Sequence, residues 1–206
     1  VRTQIYLQSS HRSSLGLLAR IDYALGFQRQ AQHYTRARPD RVPSDGIDTG
    51  TFNVGHDAID AWSGFVKGKT HTLELKDLRL RLKVGFDYSH ESVQSDSAIR
   101  FNQPNTSIAL ARGNYIEGST YASGGAFTSL SIAYRELVVR TGVRQSHFHA
   151  YSPGEIESAS AKINRNFQPR VWNAGVSFGK AIQAFAHLEA GFRAPNLDDL
   201  TARCSP

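Results

Sequence analysis

Methionine is absent from the 206 residues, and cysteine occurs once, at Cys204. A single thiol cannot form an intrachain disulfide or a cysteine zinc centre, so neither device is expected to hold the fold. No run of about 18 uncharged apolar residues occurs anywhere, which excludes a membrane-spanning α-helix. The chain has no initiator and no basic-then-apolar leader, and Val1 opens on a stretch that already reads as strand, so its start is expected to be internal to a longer protein. Gly-x-Ser-x-Gly, His-Glu-x-x-His and a phosphate-cradling glycine loop are all missing, and no enzyme activity, cofactor or metal site is expected. The formal charge is +6 and the pI about 9.6. Its lysines and arginines are scattered rather than clustered in sequence, which argues against a nucleic-acid partner.

What is present is alternation. In Leu78-Arg79-Leu80-Arg81-Leu82-Lys83-Val84-Gly85-Phe86-Asp87-Tyr88 every even position is apolar, and every odd one except Gly85 is charged. As a strand this segment has one oily face and one ionic face; a helix would scatter the charges around its circumference. Its length suits a tilted strand crossing a bilayer. The mean hydropathy of −0.39 is too low for a bundle of membrane helices. It suits a membrane β-barrel, in which only alternate residues meet lipid.

The same pattern recurs in Leu15, Leu17, Ala19, Ile21, Tyr23, Leu25 and Phe27, and in Ala126, Leu130, Ile132 and Tyr134. It returns in Leu137, Val139, Thr141 and Val143, in Trp172, Ala174, Val176 and Phe178, and in Ile182, Ala184, Ala186, Leu188, Ala190 and Phe192. About eight strands follow, over 1–9, 15–33, 51–75, 78–93, 119–134, 137–151, 164–178 and 182–193. Links between them alternate: short near 10–14, 76–77, 135–136 and 179–181, long near 34–50, 94–118 and 152–163. Tight turns on one side and long loops on the other mark an antiparallel transmembrane β-barrel segment, with the tight side in the periplasm. Parity then turns Arg79, Arg81, Lys83, Asp87, Arg140, Arg144, Glu189 and Arg193 away from lipid, since each would cost a few kcal/mol there (~2–4 for Arg or Lys at the midplane).

The segment Gly191-Phe192-Arg193-Ala194-Pro195-Asn196-Leu197-Asp198-Asp199-Leu200 resembles a motif of TonB-dependent outer-membrane receptors. So do Leu82–Tyr88, Gly118–Phe127 and Thr141-Gly142-Val143-Arg144, in order and spacing. The resemblance is carried by residues from about 70 to 200. It implies a meandering all-β piece of a larger barrel of about 22 strands, with 1–206 as partial barrel and the plug domain and remaining strands outside it. It further implies the outer membrane of a Gram-negative bacterium, with outer-membrane lipid, the receptor's plug, the TonB complex acting through the plug, and a scarce solute such as a ferric siderophore, haem or cobalamin as partners. The charged polar-face residues are expected to contact the plug or to line the solute's path.

Within Phe192-Arg193-Ala194-Pro195 the expected roles are structural: Pro195 ends a strand and Arg193 faces the lumen. His147 and His149, with Tyr151, are expected at the outer end of their strand as polar rim residues rather than metal ligands, and so are His33 and His56. The alternative fold is a small closed eight-stranded barrel with a structural or adhesion role, which requires strand 1–9 to pair with strand 182–193. An outer-membrane hydrolase barrel would need a Ser-His-acid set that these residues do not supply.

Overall fold

Long alternating strands joined by two-residue turns can satisfy their backbone amides only by pairing with sequence neighbours, and this is what the computed structural model shows. It describes residues 1–13, 16–38, 50–101, 106–110, 113–154, 161–179, 182–193 and 195. Eight strands form one antiparallel path: β1 (Arg2–Arg12), β2 (Leu18–Arg38), β3 (Thr51–Thr70), β5 (Leu78–Phe101), β7 (Thr120–Tyr134), β8 (Leu137–Ser152), β10 (Arg170–Phe178) and β11 (Ala184–Ala190). Three short strands complete the sheet. β4 (Leu73–Leu75) and β6 (Thr106–Leu110) pair with β5, and β9 (Ile163–Phe167) pairs with β8. The sheet is open: its path runs from β1 to β11, and these two do not pair with each other. That removes the closed eight-stranded alternative.

Two hairpins set the register. Leu75 pairs with Leu78 across Lys76-Asp77, and Tyr134 pairs with Leu137 across Arg135-Glu136. Lys76 and Arg135 take φ of 54° and 52°, and Arg135 reaches across to Asp77 at 3.4 Å, tying the two turns together. From these turns the ladders propagate, and directly opposed residues share a face. Leu82 faces Leu130, which faces Thr141, which faces Ala174, which faces Leu188. The even positions of β5 thus join one continuous apolar face, on which Leu25, Trp62, Phe86, Tyr88 and Trp172 are each 48–58% exposed.

The apolar band does not run parallel to the cross-strand rows. The row holding Leu7 and Leu25 passes through Gly64, Tyr88 and Gly124 to His147, beyond the apolar part of β8, which ends at Val143. Such a slip is what strand tilt produces when a sheet stands obliquely in a bilayer.

Several expected boundaries shift. β2 runs on to Arg38 and β5 to Phe101, past the end of the hydrophobic alternation, while β6 lies inside the stretch expected to be loop. Beyond the lipid a strand can be polar on both faces, so its sequence carries no alternation signal. The expected strand over 164–178 is broken into β9 and β10 at Gln168-Pro169, because proline has no N–H for the ladder. The regular alternation of Leu17, Ala19 and Ile21 also fails. A bulge between Leu18 and Arg20 places Leu18 opposite Thr70 on the apolar face, against Gly68 and near Val84. Leu15 lies outside the described residues.

The most enclosed part is at the long-loop end, where residues 113–119 fold against the free edge of β5. The amide of Val93 donates to the carbonyl of Ser119, and that of Gly118 to the carbonyl of Val93. The Glu117 carboxylate accepts the Ser95 amide. Asp57, 5% exposed, accepts from the Ser95 hydroxyl, the Asn114 amide and the Asn114 side chain.

The face assignment makes a direct prediction. In the intact protein in lipid vesicles, Leu82→Arg should lower the free energy of unfolding by about 2–4 kcal/mol, and Lys83→Arg next to it by almost nothing. Equal urea midpoints for the two variants would show the faces to be wrongly assigned.

Candidate functional site

Strand register gathers the odd face of β5 and its neighbours into a cationic patch near the tight-turn end. Arg12 opposes Arg20, Arg20 opposes Lys69, and Lys69 opposes Lys83, giving four like charges in consecutive pairs across β1, β2, β3 and β5. With strands roughly 4.8 Å apart, like charges directly opposite one another are destabilising. Around this row lie Lys67, Arg79, Arg81 and Arg140.

Two recesses mark the patch. One, of about 420 Å3, is lined by Arg20, Asp22, Lys67, Lys69, Lys83 and Phe127. The other, of about 250 Å3, is lined by Thr72, Glu74, Arg79, Arg81 and Arg140 among others. Asp22 takes Arg20 at 2.7 Å, and Arg81 donates to the Thr72 hydroxyl. Arg12, Lys69, Lys83 and Arg140 have no ion pair among the described residues. Lys69 feels Arg81, Lys83 and Arg20 together, with Asp22 as a counter-charge.

Above the patch, Asp87 and Arg144 form a bidentate pair at 2.6 and 2.8 Å. Arg144 stands opposite Phe127 and must cross Gly125 to reach Asp87; a Cβ on Gly125 would come within 2.7 Å of its guanidinium. Arg144 also donates to Ser146 at 2.9 Å, which fixes the angle of the fork. The ring of Phe127 lies across Gly85, where a Cβ would stand 2.5 Å from it. This explains the one gap in the charged alternation of β5.

The polar-face expectation therefore meets several outcomes. Arg79, Arg81, Lys83 and Arg140 come together in the patch, while Asp87 and Arg144 satisfy each other. Glu189 shares the row of Lys83, but Ser129, Gly142 and Asn173 stand between them. Arg193 lies past the last ladder pair of β11, where parity assigns no face. Phe192 departs from its expected place on the apolar face: β11 ends at Ala190, and the Phe192 ring packs 6.2 Å from Phe148, which lies on the polar face and sits 6.4 Å from Tyr121. Gly191, expected inside the strand over 182–193, lies past the strand's end at Ala190, and Pro195 stands five residues beyond that end rather than terminating it; Ala194, Asn196, Leu197, Asp198, Asp199 and Leu200 lie outside the described residues.

His147, His149 and Tyr151 share the outward face, beyond the apolar end of β8, and His149 bonds the Asn164 side chain at 3.0 Å. His33 and His56 stack at 4.4 Å on the same face. No group of three metal-ligating side chains occurs among the described residues. Arg12, Arg20, Lys67 and Lys69 were not singled out in sequence, because only the register of β1, β2 and β3 reveals that they share a face with Lys83.

Asp87→Asn and Gly125→Ala disturb the same contact, so their effects should not add. Each is expected to cost about 1 kcal/mol, since the pair is a third or more exposed, and the double variant little more than either. A urea-unfolding cycle that gave simple additivity would show that Gly125 does not hold the passage for Arg144.

The family described as TonB dependent receptor-like, beta-barrel matches residues 2–204. No curated protein matches the chain. Among solved structures, the copper transporter OprC superposes with a TM-score of 0.67 at 11% identity, over 91% of this chain and 29% of that one, which bears on the fold alone. The chain thus spans under a third of that transporter's length. With the family matched over nearly every residue and an open antiparallel wall of the expected faces, the chain belongs to the TonB-dependent receptor-like β-barrels.

Proposed function

We propose that this chain is wall of an outer-membrane importer driven through TonB, and that its cationic patch seats an acidic surface of the plug inside the barrel. The observation that carries this reading is the row Arg12, Arg20, Lys69 and Lys83. An isolated wall gains nothing from four like charges side by side. The arrangement makes sense when an anionic partner lies across it. The patch stands near the tight-turn end, the periplasmic side of such a barrel, where a plug must be held while its TonB contact is pulled.

A patch of this sign also favours an anionic or chelated solute on its way through, of ferric siderophore, haem or cobalamin type. Bare cations meet repulsion along this surface. The copper named for the structural neighbour therefore suits this wall less well, unless it travels as an anionic complex.

Reversing Lys69 and Lys83 together (K69E and K83E) tests the reading in cells that carry the intact receptor. TonB-dependent uptake of the receptor's solute should fall at least about tenfold, with the barrel still present in the outer membrane. Cysteine crosslinks between wall and plug should weaken in parallel. Uptake and crosslinking both unchanged would refute the plug seat; uptake that never depended on TonB would refute the importer.

A further inference from the structure

The outward face carries a groove that the importer reading does not use. On β7 the outward positions Ala122, Gly124 and Ala126 are all small, and together they form the floor. Phe86 and Tyr88 of β5 stand on one side, and Gln145 and His147 of β8 on the other, with Gln168 at the end; the space is about 590 Å3. Tyr88 leans over the floor, its ring 3.2 Å from where a Gly124 Cβ would lie. The groove lies where the apolar band of β8 gives way to polar residues, on the long-loop side.

The break at Gln168-Pro169 shapes its polar end. Gln145 donates from Nε2 to the carbonyls of Gln168 and Pro169 at 3.1 and 3.2 Å, and its Oε1 accepts Nε of Arg170 at 3.1 Å. The Gln145 amide is thereby locked, and it holds the Arg170 guanidinium by one edge. The two terminal nitrogens of Arg170 keep no protein partner among the described residues. His147 stands beside Gln145 on this face, with His149 and Lys162 beyond, the last over the Tyr151 ring at 5.5 Å. Every outward position of β7, β8 and β10 is free of carboxylates. A positively charged rim above a small-floored apolar groove, at the level of the outer leaflet, complements an amphiphile with a negative head.

We infer that this groove holds one anionic, phosphate-bearing lipid of the outer leaflet, with an acyl chain along Ala122, Gly124 and Ala126 and its phosphate on Arg170 and His147. An acyl chain gains no hydrophobic free energy by leaving bulk lipid for an apolar groove. Selectivity therefore comes from the fork of Arg170, which suits a phosphate, and from the shape of the floor.

The test is native mass spectrometry of the intact protein extracted in mild detergent and titrated with lipid A, phosphatidylglycerol or zwitterionic phosphatidylcholine. One anionic lipid should be retained in preference to phosphatidylcholine. Ala126→Leu, which fills the floor with a side chain suited to a lipid-facing position, and Arg170→Gln should each weaken retention at least about tenfold, or about 1.4 kcal/mol. Solute uptake should be unaffected by Ala126→Leu, so failure here is distinct from failure of the importer reading. Equal retention of phosphatidylcholine, or undiminished retention by both variants, overturns the proposal. Preference for lipid A supports the outer-leaflet placement, and preference for phosphatidylglycerol over lipid A overturns it.

Discussion

Everything in this wall depends on register. Because successive side chains of a strand alternate faces, a slip of one residue in the pairing of β5 would carry Arg79, Arg81 and Lys83 into lipid and Leu80 and Leu82 into the barrel. The register is pinned where the chain has least freedom, at Lys76-Asp77 and Arg135-Glu136, two turns too short to accommodate a slip. Pairing then follows strand by strand for the whole sheet. The bulge at Leu18 is an adjustment within the same scheme, returning a leucine to the lipid side where regular alternation would have turned it inward.

Given that register, the two faces divide the work. The polar face concentrates positive charge near the turns and satisfies itself higher up, where Asp87 and Arg144 neutralise each other across Gly125. Charge is thus in excess near the turns, where among the described residues only Arg20 of the row has an ion-pair partner, Asp22, and is paired off higher up the same face. At the long-loop end the wall is closed over by residues 113–119, whose amides and side chains converge on Asp57 and Ser95.

The outward face is uniform only in the middle of the membrane. Where the band ends, small residues on β7 and a proline break between β9 and β10 leave a depression, and an arginine is held beside it by a locked glutamine. The same break interrupts the pairing of β8: the Ser146 amide finds the carbonyl of Pro169 instead of a regular ladder partner. Irregular backbone thus appears where the surface leaves the hydrocarbon and can be paired or hydrated.

The alternation of Leu78 to Tyr88, the short-long rhythm of the links and the Gly191 to Leu200 motif were enough to establish a piece of receptor barrel and the shared polar face of Arg79, Arg81, Lys83, Asp87, Arg140, Arg144 and Glu189. These are local properties, written in neighbouring residues, and a period of two needs no distant partner to be read. The patch that joins Arg12 and Arg20 to Lys69 and Lys83, the passage of Arg144 over Gly125, the inward turn of Phe192 and the grip of Glu117 on Ser95 come from tertiary structure alone. Each depends on which residue of one strand stands beside which residue of another, and that offset is set by turns, bulges and breaks whose geometry the periodicity of a single strand does not encode.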